Sequence, residues 1–242
     1  PGGVKGKKFS VLKAIAGADL LISAAKLKTH GMMTYTGAVK NMFGAVYGLE
    51  KSEYHFRYPK TEDFAEFLVD LCSAVRPQIS FIDGILGMEG NGPTGGDTVH
   101  AGLTLAGRNP FALDAVAGEA IGIPVAENPL IFAAAKRNLW SGDVSAVSLL
   151  GKDGEPIPSL SVYSHPFRRP DSVDGMQFSG FRFVPRPVQK FLKKNCTPYP
   201  LVKKDRCVGC GECAASCPKK IIRIAGGKAL IDLKKGCISC FC

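Results

Sequence analysis

Apolar and polar positions follow two different periods along the N-terminal part of the chain. Residues 18–25 and 78–83 are short, almost continuously apolar runs, which predicts two buried strands. Between them, apolar side chains recur every three or four residues from Thr61 to Pro77. This spacing predicts a helix that keeps Cys72 in the core.

The alternation of strands and helices continues to residue 150. Residues 103–106 predict a third strand, and helices are predicted to begin at Asn109 and Asn128, where asparagine caps the helix and the following proline occupies its first turn. Residues 144–150 are predicted to return as a strand. We therefore expect residues 1–150 to form an α/β domain, a mainly parallel sheet flanked by helices.

Residues 151–200 differ in composition, because eight prolines interrupt any long element. Residues 188–194 alone have a helical pattern there. We expect a Pro-rich basic linker, followed by a small ferredoxin-like α+β iron-sulfur domain at 201–242.

The chain has a formal net charge of +10, from 31 Lys and Arg against 21 Asp and Glu. Much of the excess precedes the cysteine-rich end, and two interpretations stay open: a solvated linker, or a docking patch for an acidic redox partner protein. Nucleic-acid binding is not expected, because the chain has no recognisable motif and no platform of interleaved aromatic residues. The basic residues in question are Arg186, Lys190, Lys193, Lys194, Lys203, Lys204 and Arg206.

No apolar run approaches the roughly 18 residues that a membrane span needs. We therefore expect no membrane span and a cytoplasmic location. The sequence begins at Pro1 rather than methionine, which leaves an N-terminal export signal open.

Seven of the nine cysteines lie between Cys207 and Cys242. The first four follow the spacing C-x2-C-x2-C-x3-C-P, which is typical of bacterial ferredoxins: three thiolates bind one 4Fe-4S cluster and the fourth reaches a second. Glycines between them permit tight wrapping. These four residues are Cys207, Cys210, Cys213 and Cys217.

A second cysteine group begins at Cys237 and the sequence ends within it. Two cubane clusters need eight cysteine ligands, so this segment has the pattern of a truncated two-cluster module, in which Cys217 serves the second cluster. Zinc is a weaker alternative, because zinc sites usually pair two C-x2-C knuckles across a longer loop, and disulfides suit such close spacing still less. Residues 221–224 and 229–231 predict a small hairpin beside the clusters. The second group adds Cys237, Cys240 and Cys242 as cluster and metal ligands.

Charged and polar residues follow the two predicted strands, at the edge of the sheet where α/β proteins bind ligands. A turn at residues 36–44 adds a cation, and a loop at residues 87–96 contains six glycines or prolines, which allows close backbone approach to a ligand. The hypothesis is an anion-binding pocket for a small-molecule substrate. It has Lys26, Lys28, His30 and Lys40 on one side and Asp83 and Glu89 on the other, with Lys28, His30, Lys40 and Glu89 as candidate catalytic residues.

The segments K-L-K-T-H, T-G-A-V-K-N-M-F-G, D-G and G-M-E-G-N-G-P, which begin at Lys26, Thr36, Asp83 and Gly87, together resemble the domain of unknown function 362 family. Several members of that family carry a C-terminal ferredoxin module. The resemblance implies the domain order and the cofactor rather than a reaction. A fainter similarity to the lactate racemase family implies that Lys40 anchors a nickel-pincer cofactor and that His30 acts on substrate.

The sequence therefore predicts an iron-sulfur protein that transfers single electrons, with its clusters feeding an unidentified reaction in the α/β domain. The alternative is a non-catalytic cluster carrier or a redox-sensing binding module.

Overall fold

The structure is a computed structural model that describes residues 3–158, 165–170, 200–217 and 220–233. The helix expected at 188–194 and the cysteine group that begins at Cys237 lie outside the described residues. The chain divides into two compact units, one formed by 1–47 with 58–177 and the other by 48–57 with 178–242.

The first unit is built on a mixed five-stranded sheet. The two central strands pair in parallel along the longest ladder, and the three shorter strands pair antiparallel with one or other of them. The spatial order is β2-β1-β3-β4, with β5 also paired to β3. The strands are β1 (Ile22–His30), β2 (Thr34–Thr36), β3 (Ile79–Glu89), β4 (Asp97–Val99) and β5 (Leu103–Gly107).

Helices pack against this sheet, and the second unit adds a small hairpin next to the cysteine motif. The expected fold class, an α/β sheet flanked by helices followed by a small iron-sulfur domain, is confirmed. The helices of the first unit are α1 (Lys13–Ala16), α2 (Ala38–Asn41), α4 (Thr61–Val75), α5 (Pro110–Ala120) and α6 (Pro129–Lys136), and those of the second unit are α3 (Gly48–Arg57) and α7 (Glu212–Ser216). Short 3-10 turns occupy Met42–Ala45, Val125–Glu127 and Val144–Ala146, and the hairpin strands are β6 (Ile222–Ala225) and β7 (Lys228–Ile231).

Helices α5 and α6 begin as their sequences predict. The Asn109 side chain accepts hydrogen bonds from the amides of Phe111 and Ala112 at 2.9 and 3.2 Å, and Asn128 caps α6 in the same way. Each cap satisfies amides that have no partner inside the helix. Helix α4 also matches its prediction, and its stripe includes the buried Cys72.

Three predicted strands differ from the structure. Strand β3 covers 79–89 rather than 78–83, so it includes the first residues of the loop predicted at 87–96. Strand β1 covers 22–30 rather than 18–25. One face of the strand is buried and the other is exposed, so charged residues on the exposed face can alternate with buried ones up to His30. Residues 144–150 begin with a 3-10 turn instead of a strand. The Asp143 side chain accepts from the Ser145 amide at 2.9 Å, and this local bond favours a turn over a ladder.

Asp70 on α4 ties three separate parts of the first unit together. Its carboxylate accepts hydrogen bonds from the amides of Val4, Lys5 and Gly6 at 2.7 to 3.0 Å, and Arg137 lies 2.8 Å from the same group. The Asp70 side chain is 1% exposed. Removing its charge therefore breaks the ion pair with Arg137 and weakens the three amide hydrogen bonds at a buried carboxylate.

We expect Asp70→Asn to lower the free energy of unfolding by about 3 kcal/mol, the cost typical of breaking a buried ion pair. Asp63→Asn on the same helix is the matched control, because Asp63 pairs with Lys5 at the surface and its loss should matter much less. Chemical denaturation followed by circular dichroism measures both variants. Equal effects would contradict the assigned role of Asp70.

Asp114 on α5 is a second buried carboxylate, and it caps α2. Its oxygens accept from the amides of Ala38 and Val39 at 2.6 and 3.0 Å. A Cβ atom at Gly37 would lie 2.3 Å from the same carboxylate, so glycine is needed for this approach. Burial raises the pKa of Asp114 from 3.8 to about 7, although the two amide bonds oppose the shift.

The raised pKa predicts a pH dependence of stability. Because the folded protein holds the Asp114 proton more tightly than the unfolded chain, this stabilisation is complete below about pH 4 and is lost as the pH rises through about 7. Across that range, the unfolding free energy of the wild type should fall relative to that of Asp114→Asn as the pH rises. Parallel curves for the two proteins would contradict the burial of an ionisable group here.

Candidate iron-sulfur and anion sites

Cys207 lies against the β6–β7 hairpin of the second unit. The amide of Ala229 donates a hydrogen bond to the Cys207 sulfur at 3.3 Å, and the Lys228 ammonium donates to the Cys207 carbonyl at 2.6 Å. The hairpin was predicted from the sequence, and the structure pairs Ala225 with Lys228 at its turn. The hairpin therefore supports the first cysteine of the motif.

The cysteine loop and the hairpin turn approach each other closely. Gly209 has φ +70°, and a Cβ atom there would lie 2.4 Å from the Gly227 carbonyl oxygen. Any larger residue is excluded by both the backbone conformation and the space. The glycine expected from the sequence to permit wrapping has this role in the structure.

The environment of Cys207 favours the thiolate form. The Ala229 amide first, then the Gly209 amide and the charge of Lys228, lower the pKa of the Cys207 thiol. Thiolates are the ligands that iron-sulfur clusters require, so the donor set fits a 4Fe-4S cluster. Such a cluster would be held by Cys207, Cys210 and Cys213, of which the last two are exposed, and Cys217 follows α7 at its C-terminus.

Among the residues that the structure describes, no three His, Cys, Asp or Glu side chains converge on one metal ion. Within the same residues, no helix is both long enough and apolar enough to cross a membrane.

In the first unit, Lys26, Lys28 and His30 lie on one face of β1. The residues between them are buried on the opposite face, as the burial pattern of the strand shows. These three residues were expected directly after the strand, whereas they lie in its C-terminal half. The Lys26 ammonium lies 2.7 Å from the Asp83 carboxylate on β3. This hydrogen bond, with a second from the Ile85 amide, lowers the pKa of Asp83.

His30 ends β1 and shapes the turn that follows. Its Nδ1 atom accepts from the amides of Met32 and Met33 at 3.0 and 3.2 Å. An acceptor at Nδ1 assigns the proton of the neutral ring to Nε2. His30 therefore has one nitrogen committed to the backbone and one suited to donate a hydrogen bond.

Lys40 lies on α2, which packs on the opposite face of the sheet from Lys28 and His30. The Asn41 side chain donates to the hydroxyl of Ser23, which is buried on that opposite face, at 3.0 Å. Ala38 of the same helix belongs to the hydrophobic core. The structure thus separates Lys40 from the other three predicted cations.

Glu89 is also separated from them. Lys28 pairs with Met88, so the alternation of β3 places Glu89 on the other face of the sheet. There its carboxylate accepts from the Arg168 amide at 2.8 Å. The glycine-rich loop, which was expected to approach a ligand, packs closely against β1 instead. A Cβ atom at Gly92 would lie 2.2 Å from the Thr29 carbonyl oxygen.

Of the predicted pocket, the structure brings together Lys26, Lys28, His30 and Asp83. Asp114 and Lys228 were not predicted from the sequence. Asp114 had a signal, a carboxylate within the apolar stripe of α5. Lys228 had none, because its contact with Cys207 depends on how the hairpin folds back.

Comparison with known proteins supports the iron-sulfur site. Residues 1–119 match the family described as a domain of unknown function, DUF362, and residues 200–223 match the 4Fe-4S binding domain. A thylakoid-associated protein of Synechocystis is 40% identical over 117 residues, which are 48% of this chain and 36% of that protein. The chain thus spans about a third of the length of this curated relative, and no solved structure matches it. This protein therefore carries a DUF362 domain followed by a 4Fe-4S binding motif.

Proposed function

We propose that this protein is an iron-sulfur oxidoreductase that passes single electrons from 4Fe-4S clusters to an anionic small molecule bound by its α/β domain. Electron transfer is supported chiefly by the hydrogen bond that the Ala229 amide donates to the Cys207 sulfur. A preformed amide–sulfur bond stabilises a thiolate ligand and the electron-rich cluster it binds.

The substrate part of the proposal rests on Lys28 and His30. Both are half-buried, and both lie on the face of β1 that the core does not occupy. A cation and an N–H donor side by side suit a carboxylate or phosphate group. Lys26 is already paired with Asp83, so we assign the main electrostatic contact to Lys28.

In the full scheme there are two clusters. Cys207, Cys210 and Cys213 bind the first, and Cys217 joins the second cysteine group in binding the second, as the ferredoxin spacing implies. The electron donor in this scheme is an acidic redox partner protein. The exposed side chains of Lys203, Lys204 and Arg206 support that choice, since they lie directly before the motif.

A second candidate, a cluster carrier or redox sensor without catalysis, is favoured by one observation. Glu89, a proposed catalytic carboxylate, is bound to the Arg168 backbone. The two functions differ in whether a small molecule reoxidises the reduced protein.

We expect Cys207→Ser and Cys217→Ser each to lower the iron content below the value of about eight per chain that two cubanes contain. Cys72→Ala is the matched control, because this cysteine is buried in α4 and should leave the iron content unchanged. Iron and acid-labile sulfide per chain are the measurements. Unchanged iron in both serine variants would refute the ligand scheme.

We further expect one or more small anions that carry a reducible group, such as a carbonyl or a conjugated double bond, beside their carboxylate or phosphate to reoxidise the dithionite-reduced protein and to be reduced in turn. Lys28→Gln should slow that reaction about tenfold or more, because it removes a charge-assisted hydrogen bond to the anion. The visible absorbance of the clusters follows the reaction, and Lys7→Gln, an exposed lysine near the N-terminus, is the control. Reoxidation by no compound of the panel would favour the carrier, and equal rates in both variants would exclude Lys28 from the site.

A further inference from the structure

Lys228 begins β7 and lies against the backbone of a predicted cluster ligand. Its ammonium donates to the Cys207 carbonyl at 2.6 Å, while the next residue, Ala229, donates its amide to the Cys207 sulfur. We propose that Lys228 is a tuning residue, which holds a fixed positive charge beside Cys207 and raises the reduction potential of the cluster bound there.

The position of this charge is fixed by the fold. Lys228 is half-buried and pairs with Ala225 at the end of the hairpin, so its backbone is held by the partner strand. The close approach of Gly209 to Gly227 holds that hairpin against the cysteine loop. By contrast, Lys204 in the same unit is exposed, and an exposed charge is screened by salt and water.

A cation near the cluster favours the reduced state for an electrostatic reason. Each electron that enters from an external donor adds one negative charge, and no bond forms or breaks in this step. A nearby positive charge stabilises the more negative form more strongly, and partial burial strengthens the effect. The proposal requires a bound cluster, but it does not depend on the substrate reaction proposed above.

The test compares four variants of the full-length, cluster-loaded protein: Lys228→Gln, Lys228→Arg, Lys228→Met and Lys204→Gln. Lys228→Gln removes the charge but keeps an N–H donor for the Cys207 carbonyl, whereas Lys228→Arg keeps both. Lys204→Gln removes the same formal charge from an exposed position. Midpoint potentials come from redox titrations monitored by EPR, after iron and sulfide analysis has shown equal cluster content.

We expect Lys228→Gln to lower the potential, so that at a fixed potential the reduced-to-oxidised ratio falls about threefold to tenfold. A tenfold change corresponds to about 59 mV for one electron. Lys228→Arg should stay near wild type, and Lys204→Gln should shift less, with its shift vanishing at high salt.

Two outcomes would overturn the proposal. One is a Lys228→Gln potential equal to that of wild type at equal cluster content. The other is loss of the cluster in both Lys228→Gln and Lys228→Met while Lys228→Arg retains it, which would assign the lysine to cluster assembly instead. Either result leaves the substrate reaction open, because reoxidation by small anions is measured separately.

Discussion

The parallel pairing of β1 with β3 is the constraint on which the first unit depends. It buries Ala25, Leu27 and Thr29 on the face that the helices cover, and the period of the strand then forces the intervening residues onto the other face. Lys28 and His30 are therefore positioned by the core residues between them. A slip of one residue in this pairing would exchange the two sets.

Buried carboxylates fix the parts that the sheet alone does not hold. Asp114 caps α2, and Asp70 binds both the N-terminal segment and the guanidinium of Arg137. Each carboxylate replaces lost solvation with several hydrogen bonds, which is the condition for burying such a group. In the second unit, backbone amides stabilise a negative charge in a similar way, because they donate hydrogen bonds to the sulfur of Cys207.

The sequence predicted local features well and long-range features poorly. The cysteine spacing, the Asn109 cap and the β6–β7 hairpin depend on residues a few positions apart, so pattern alone identifies them. The bounds of β1 were misplaced because a continuous apolar run was preferred over the alternation that continues to His30. The separation of Glu89 and Lys40 from Lys28 follows from strand register and helix packing, which no local pattern encodes.

The proposed electron transfer requires that the C-terminal module bind clusters that accept single electrons. EPR spectroscopy of the anaerobically prepared, dithionite-reduced full-length protein tests this requirement. We expect a low-temperature signal of reduced 4Fe-4S clusters, with close to one unpaired electron for each four irons. A protein that contains no iron or sulfide and gives no such signal after reconstitution would contradict it.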